Sequence, residues 1–208
     1  MTRTTRLAVV LLLNLALVAG LVAAGISAHS VGVLAAGGDY LADAFAIGVS
    51  LLAIGLARRP PTRRRPGGYP RATAYAALLN VTLLLVVVAA VAAGAIGRLV
   101  TGPGHVHGLP VLIASGIAAL VMLGGGLILR GDADDPEDSE GDRANVRAVL
   151  LDTLADSAAA GGVAVTGAII LADPALAWLD PTVALLIAAV IGYQALALIR
   201  EVVIALRR

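Results

Sequence analysis

The sequence predicts an all-α integral membrane protein, a six-transmembrane-helix bundle with its N- and C-termini in the cytoplasm. Of its 208 residues, 59% are hydrophobic and 14% are charged, whereas a soluble domain averages about 45 to 50% apolar and about 25% charged residues. The apolar residues form six stretches, each long enough to cross a hydrocarbon core of about 30 Å. All 15 basic residues are arginine, and every one except Arg98 lies on one side of these stretches, which the positive-inside rule places in the cytoplasm.

The six predicted spans make residues 1–208 a single transmembrane domain. The first span follows a short basic lead, and its length, with Asn14 inside it, favours a retained helix over a cleaved signal peptide. The last begins at Asp180, the predicted N-cap ahead of Pro181. We expect no soluble C-terminal domain after it. The predicted spans are about 7–26, 31–57, 72–97, 109–129, 145–171 and 180–206.

Three connections carry charge or imidazole. Residues 58–71 combine six arginines with proline and glycine, which predicts a cytoplasmic loop that contacts lipid headgroups. Residues 131–142 are rich in Asp and Glu, which predicts a solvated, disordered connector or a weak collector of cations. The turn 101–108 holds His105 and His107, which indicate either a solvated turn or capture of a metal ion on the outer side.

Composition excludes several classes of site. The chain has no cysteine, so a disulfide framework and thiolate metal ligands are both excluded. A net charge of +1 argues against a nucleic-acid partner. Any metal site must therefore use oxygen or imidazole ligands.

Two pairs of aspartates lie inside predicted spans. Asp39 and Asp43 fall in the second span, and Asp152 and Asp156 in the fifth. Residues i and i+4 share a helix face, and one Asp at the centre of a membrane helix costs about 2.5 to 3.5 kcal/mol. If the two antiparallel helices pack in register, the four carboxylates surround one space suited to a divalent cation. Their mutual repulsion would retain protons that an arriving ion displaces, which predicts metal/proton exchange.

Other interpretations of these residues stay open at the level of sequence. Two membrane aspartates can also share a proton and activate water, as in an aspartyl protease, although this leaves two of the four unexplained. The protein can also be a metal-responsive adaptor that transports nothing, or the aspartates can serve as interhelical hydrogen-bonding groups. Asn14 and Asn80 either orient the carboxylates or only hydrogen-bond between helices.

Several segments resemble one known family in the same order along the chain. Residues 14–44, with Ser30-Val-Gly-Val-Leu-Ala35 ahead of Asp39-Tyr-Leu-Ala-Asp43, resemble the first two helices of the cation diffusion facilitators. Residues 68–80 resemble the entry to the third helix of that family, residues 145–156 its fifth helix, and residues 180–187 with Glu201 its sixth. The resemblance covers nearly the whole chain.

The resemblance implies a multi-pass transporter of the cell (inner or plasma) membrane, not an enzyme. Such a protein exports Zn²⁺ or a similar divalent ion from the cytoplasm in exchange for protons by alternating access, usually as a homodimer. The family's metal ligands fall on Asp39, Asp43, Asp152 and Asp156. The ion is transported substrate, and no resident cofactor is expected.

The sequence departs from the family in three ways. Many zinc members have His at the positions of Asp39 and Asp152. Because carboxylates are harder ligands than imidazole, the all-carboxylate set suits Mn²⁺ or Fe²⁺ better than an imidazole site would. Carboxylates also accept Zn²⁺, Cd²⁺ and Co²⁺. Acidic residues common in the family are replaced by Leu21 and Ala36. Most members also continue into a cytoplasmic domain, so we expect any homodimer to rest on the membrane helices.

Overall fold

The computed structural model describes the backbone of residues 3–57, 72–102, 104–133 and 140–207, and side chains within 15–56, 75–127 and 150–200. The arginine-rich loop 58–71 and the Asn14 side chain lie outside the described residues. The described chain forms six α-helices, and a short 3-10 turn, Pro174–Leu176, precedes the last of them. The helices are α1 (Arg3–Ala28), α2 (Val31–Ala57), α3 (Ala72–Thr101), α4 (Gly108–Ala133), α5 (Glu140–Ala172) and α6 (Leu179–Arg207).

The predicted helical membrane bundle is confirmed. Five helices are long and apolar enough to cross a membrane, and the described part of α1 adds the shorter apolar segment Leu15–Ala28. Large apolar side chains are exposed around the bundle, among them Leu120 at 70% and Leu186 at 63%. A water-soluble surface rarely carries so many, so these side chains mark the face that meets lipid.

The acidic connection is more helical than the sequence predicted. α4 continues to Ala133 and α5 begins at Glu140, so both ends of the segment 131–142 are helical. Its middle, residues 134–139, lies outside the described residues. The prediction of a disordered connector was therefore wrong for both ends, because each end prolongs a helix that is already formed.

Helices pack closely where glycine or alanine removes side-chain bulk. A Cβ added at Gly38 would lie 2.9 Å from Val87 Cγ1, and one added at Gly25 would lie 2.8 Å from the Leu34 side chain. Small residues at such crossings let backbones approach in a membrane, where van der Waals packing and hydrogen bonds drive association. α2 occupies the centre, packed against α1, α3 and α6 and also in contact with α5.

Asp180 caps α2 instead of the helix that contains it. Its carboxylate accepts hydrogen bonds from Ser30 Oγ, from the Val31 amide at 2.8 Å and from the Gly32 amide at 3.2 Å. The predicted N-cap of α6 was wrong because α6 begins earlier, at Leu179, and its first amides bond to carbonyls of the preceding turn. A carboxylate at the N-terminus of α2 satisfies amides that have no partner within the helix and interacts favourably with the helix dipole.

The turn between α1 and α2 is held from two further sides. His29 has a positive φ of 53°, and its carbonyl accepts a hydrogen bond from the Arg98 guanidinium on α3. The His107 amide, just before α4, donates to the Ala28 carbonyl at 3.1 Å. Together with Asp180, these contacts fix the position of the first turn of α2 relative to three other helices.

Candidate metal centre

Three of the four predicted site aspartates come together in the fold. One carboxylate oxygen from each of Asp43, Asp152 and Asp156 lies within 4.8 Å of the others, and this is the one such group of acidic and imidazole side chains among the described residues. Asp43 and Asp156 are half-buried and Asp152 is exposed. The two ligand helices, α2 and α5, therefore meet at their acidic faces.

The spacing of these oxygens suits a single divalent ion after small side-chain rotations. With metal–oxygen bonds of about 2.0 to 2.2 Å, oxygens bound to one ion lie no more than about 4.4 Å apart. Carboxylate side chains in an exposed or half-buried setting can close the remaining gap by rotation. The three groups can thus supply an all-oxygen site with positions left for water.

Asp39 lies one helical turn from Asp43 along α2 and is not one of the three clustered carboxylates. Its half-buried side chain lines a cavity of about 390 Å³ together with Asp156. The sequence argument placed Asp39 level with Asp156, in a four-carboxylate cage. In the structure the carboxylate of Asp43 lies within 4.8 Å of both aspartates of α5, and Asp39 lines the adjoining cavity.

The cavity lies between α5 and α6 and is mostly apolar. Small residues of α5 form one wall, and larger aliphatic side chains of α6 form the other. Gln194, which the sequence analysis did not single out, is the polar group that α6 contributes to this wall. It is the one amide side chain in the sequence of α6, which is the signal that could have identified it. The cavity is lined by Asp39, Ala155, Asp156, Ala158, Ala159, Gly162, Val183, Leu186, Ile187, Val190, Ile191 and Gln194.

Tyr40 joins the two ligand helices and was also missed from the sequence. Its side chain is 2% exposed, and its hydroxyl donates a hydrogen bond to the backbone carbonyl of Asp156 at 3.2 Å. A buried tyrosine usually finds a partner for its hydroxyl, so its position between Asp39 and Asp43 was a usable signal. The bond ties α2 to α5 at the level of the carboxylates.

No positive side chain neutralises the cluster within the described residues. The described arginine side chains, Arg98 and Arg200, form no ion pair with these aspartates. Among the described side chains the carboxylates therefore face one another without a cation, and bound protons or a metal ion would relieve their repulsion.

The remaining residues that the sequence singled out lie in three different settings. Asn80 is half-buried, and its Oδ1 atom has no hydrogen-bond partner in the described chain. Leu21 and Ala36 stand where the family commonly has acidic residues. Their side chains are 2% and 3% exposed and belong to the apolar core. His105 and His107 lie in the connection before α4, outside the cluster.

Comparison with known proteins gives one family and a consistent set of relatives. The model of the cation efflux transmembrane domain matches residues 7–206. The proton-coupled zinc antiporter SLC30A2 of Homo sapiens is 27% identical over 191 residues, which are 90% of this chain and 51% of the human protein. The zinc transporter ZitB of Pectobacterium atrosepticum is 33% identical over 179 residues, 85% of this chain and 53% of that protein.

A further relative gives the same result. ZitB of Escherichia coli is 34% identical over 163 residues, which are 74% of this chain and 49% of that protein. The chain thus spans about half the length of the relatives it matches.

Proposed function

Because this chain belongs to the cation diffusion facilitator family, whose members are transporters and not enzymes, we propose that it exports a divalent metal ion from the cytoplasm in exchange for protons. The observation that carries the proposal is the meeting of Asp43, Asp152 and Asp156 between two membrane helices. Family membership also sets aside the aspartyl protease considered from the sequence.

The carboxylates account for both the ion and the proton. Clustered negative groups of low solvation favour protonation until a cation of higher charge replaces the protons. Binding of a divalent ion then releases protons, and protons arriving from the other side displace the ion. Exchange follows from the electrostatics of the cluster, without a separate proton site.

Alternating access requires the site to lie between parts of the protein that can move. The cluster lies between α2, which is fixed by Asp180 and by its neighbours, and α5, which packs mainly on α4. Rocking of α4 and α5 against the rest would expose the carboxylates to each side in turn. In the proposed cycle Asp39 and the cavity beside it form part of the path.

Zinc is the first proposed substrate, since the named relatives are zinc transporters. Mn²⁺ and Fe²⁺ are the second choice, because the cluster consists of carboxylates alone and such ligands suit these ions. We further propose that both termini face the cytoplasm, that the protein resides in the cell membrane and that any homodimer forms through its membrane helices.

The test is ion flux in sealed proteoliposomes carrying an imposed pH gradient. Zn²⁺, Cd²⁺, Mn²⁺, Fe²⁺ and Co²⁺ are compared under the same gradient. Asp43→Asn and Asp156→Asn should each lower flux by about 100-fold or more, because loss of even an outer-sphere partner costs about 10- to 100-fold in metal affinity or activity. Asp39→Asn should have a smaller effect.

The matched control is Asp173→Asn. The Asp173 side chain is exposed and accepts one hydrogen bond, from the Ala175 amide in the turn before α6, so its variant should transport normally. Absence of flux for every ion with the unmodified chain would favour the non-transporting adaptor. Flux that survives in both Asp43→Asn and Asp156→Asn would exclude the cluster as the transport site.

A further inference from the structure

Two imidazoles from different segments lie close together at one end of the bundle. His29 lies in the turn between α1 and α2, and His107 lies directly before α4. Their ring centroids are 6.3 Å apart, with the ring planes tilted by 55°. Both residues are exposed, so an ion in solution can reach the space between the rings.

The backbone holds the two residues in this arrangement. His29 is the one non-glycine residue of the described chain with a positive φ, a conformation that is uncommon outside glycine and often marks a functional constraint. Arg98 donates a hydrogen bond to the His29 carbonyl, and the His107 amide donates to the Ala28 carbonyl. The approach of the rings is therefore set by hydrogen bonds between the two segments.

The geometry points to a second metal site, in which His29 and His107 bind one divalent ion of the zinc class. Imidazole is a favoured ligand of such ions. With metal–nitrogen bonds of about 2.0 to 2.1 Å, an ion bound tetrahedrally between two imidazoles places their ring centroids about 5 Å apart. The rings, observed at 6.3 Å, reach one ion after side-chain rotations that close about 1 Å. Neither ring has a hydrogen-bond partner among the described residues.

The structure changes the pairing that the sequence suggested. The sequence placed His105 and His107 together as an outer capture site, because they are two residues apart in one turn. In the fold His107 is instead paired with His29, and the described chain shows no ring contact for His105. His105 therefore serves as an internal control.

The site should bind more weakly than the carboxylate cluster. Two protein ligands leave the remaining coordination positions to water, and the nearby Arg98 guanidinium repels a cation. The pair lies about 15 Å along α2 from Asp39, at about 1.5 Å per residue. If the proposed transport function holds, the two histidines form a low-affinity binding site for the ion between the carboxylates and the solution at this end of the bundle. Binding of the ion does not depend on that function.

The test is Zn²⁺ binding to the purified, untagged chain in detergent. Asp43→Asn and Asp156→Asn are combined to remove the carboxylate cluster, and the remaining binding is measured by competition with a chromophoric chelator. His29→Asn and His107→Asn should each weaken this remaining Zn²⁺ binding at least about tenfold. Loss of an outer-sphere partner alone already costs about 10- to 100-fold in metal affinity. Asparagine is chosen because it tolerates a positive φ. His105→Asn should change binding by less than about twofold.

The outcomes separate this site from the proposed transport site. Unchanged binding in His29→Asn, or an equal loss in His105→Asn, overturns the pairing. Each variant is first shown to retain its helix content and elution volume, and Co²⁺ absorption gives a second readout of nitrogen ligation. Retained Zn²⁺ binding in a chain that transports no ion supports the histidine site while rejecting the proposed function.

Discussion

α5 meets α4 and α2 in opposite ways. Against α4 the backbones touch, since a Cβ added at Gly167 would lie 2.6 Å from the Leu112 nitrogen, and Ser157 Oγ donates to the Ala119 carbonyl at 2.9 Å. Against α2 the contact is far less extensive, and the Tyr40 hydroxyl donates a hydrogen bond to the Asp156 carbonyl of α5. The carboxylate cluster lies on this second interface.

The difference indicates how a membrane bundle can hold charge and still move. Glycine-mediated packing on α4 gives α5 a firm partner, so the helix does not need α2 for its position. The loosely packed interface can then accept repelling carboxylates, water and an ion, and it can open with few contacts to break. A site built between α4 and α5 would have neither the space nor the freedom.

The largest expected effect comes from releasing α2 at its fixed end. Asp180→Ala removes a fully buried carboxylate and leaves the Val31 and Gly32 amides without their partner. Hydrogen bonds to a charged group contribute about 1.5 to 3 kcal/mol, so we expect a loss of about 3 kcal/mol or more in the free energy of unfolding. Denaturant unfolding in detergent measures it.

The control for this change is Asp173→Ala, which removes an exposed aspartate with one local bond. If the two variants are destabilised equally, the cap on α2 is not what fixes that helix. Metal binding by the cluster should also fall in Asp180→Ala but remain in the control, because Asp43 lies on the released helix.

The tight interface can be broken separately. Gly167→Ala places a methyl group against backbone atoms of α4, and overpacking of this kind costs about 1 to 3 kcal/mol. Gly161→Ala is the matched control in the same helix, because a Cβ there meets nothing within 4 Å. The control should be neutral or stabilising by up to about 1 kcal/mol, since alanine favours helix over glycine. Thermal unfolding that ranks the two variants in the opposite order would contradict the assignment of α4 and α5 as the firm pair.

The loose interface should show the smallest effect. Tyr40→Phe removes one hydroxyl and its bond to the Asp156 carbonyl, so we expect a loss of about 0.5 to 1.5 kcal/mol in the free energy of unfolding. Tyr75→Phe is the control, because Tyr75 is 60% exposed and has no hydrogen bond within the described chain. A loss in Tyr40→Phe as large as that in Gly167→Ala would mean that the interfaces of α5 with α2 and with α4 do not differ.

The sequence predicted the fold class and the family, and both are confirmed. Long apolar stretches leave few alternatives to membrane helices, because unsatisfied backbone groups are too costly in lipid. The i, i+4 spacing of each Asp pair also predicted that two acidic faces would exist. Helical periodicity fixes such faces whatever the packing.

Periodicity says nothing about how far one helix slides or rotates against another. The fold therefore decided that Asp43, and not Asp39, joins Asp152 and Asp156. It also decided that Asp180 caps the N-terminus of α2, because carbonyls of the turn before α6 already accept hydrogen bonds from the first amides of α6. Pairing of His107 with His29, about eighty residues earlier in the sequence, depends on the same long-range packing.

The chain by itself thus determined which groups are available and on which helix face each one lies, since these follow from local geometry and from the low polarity of the surroundings. Only the tertiary structure decided which of them meet. Helix register and rotation are set by glycine contacts and interhelical hydrogen bonds between residues distant in sequence, and these have no local signature.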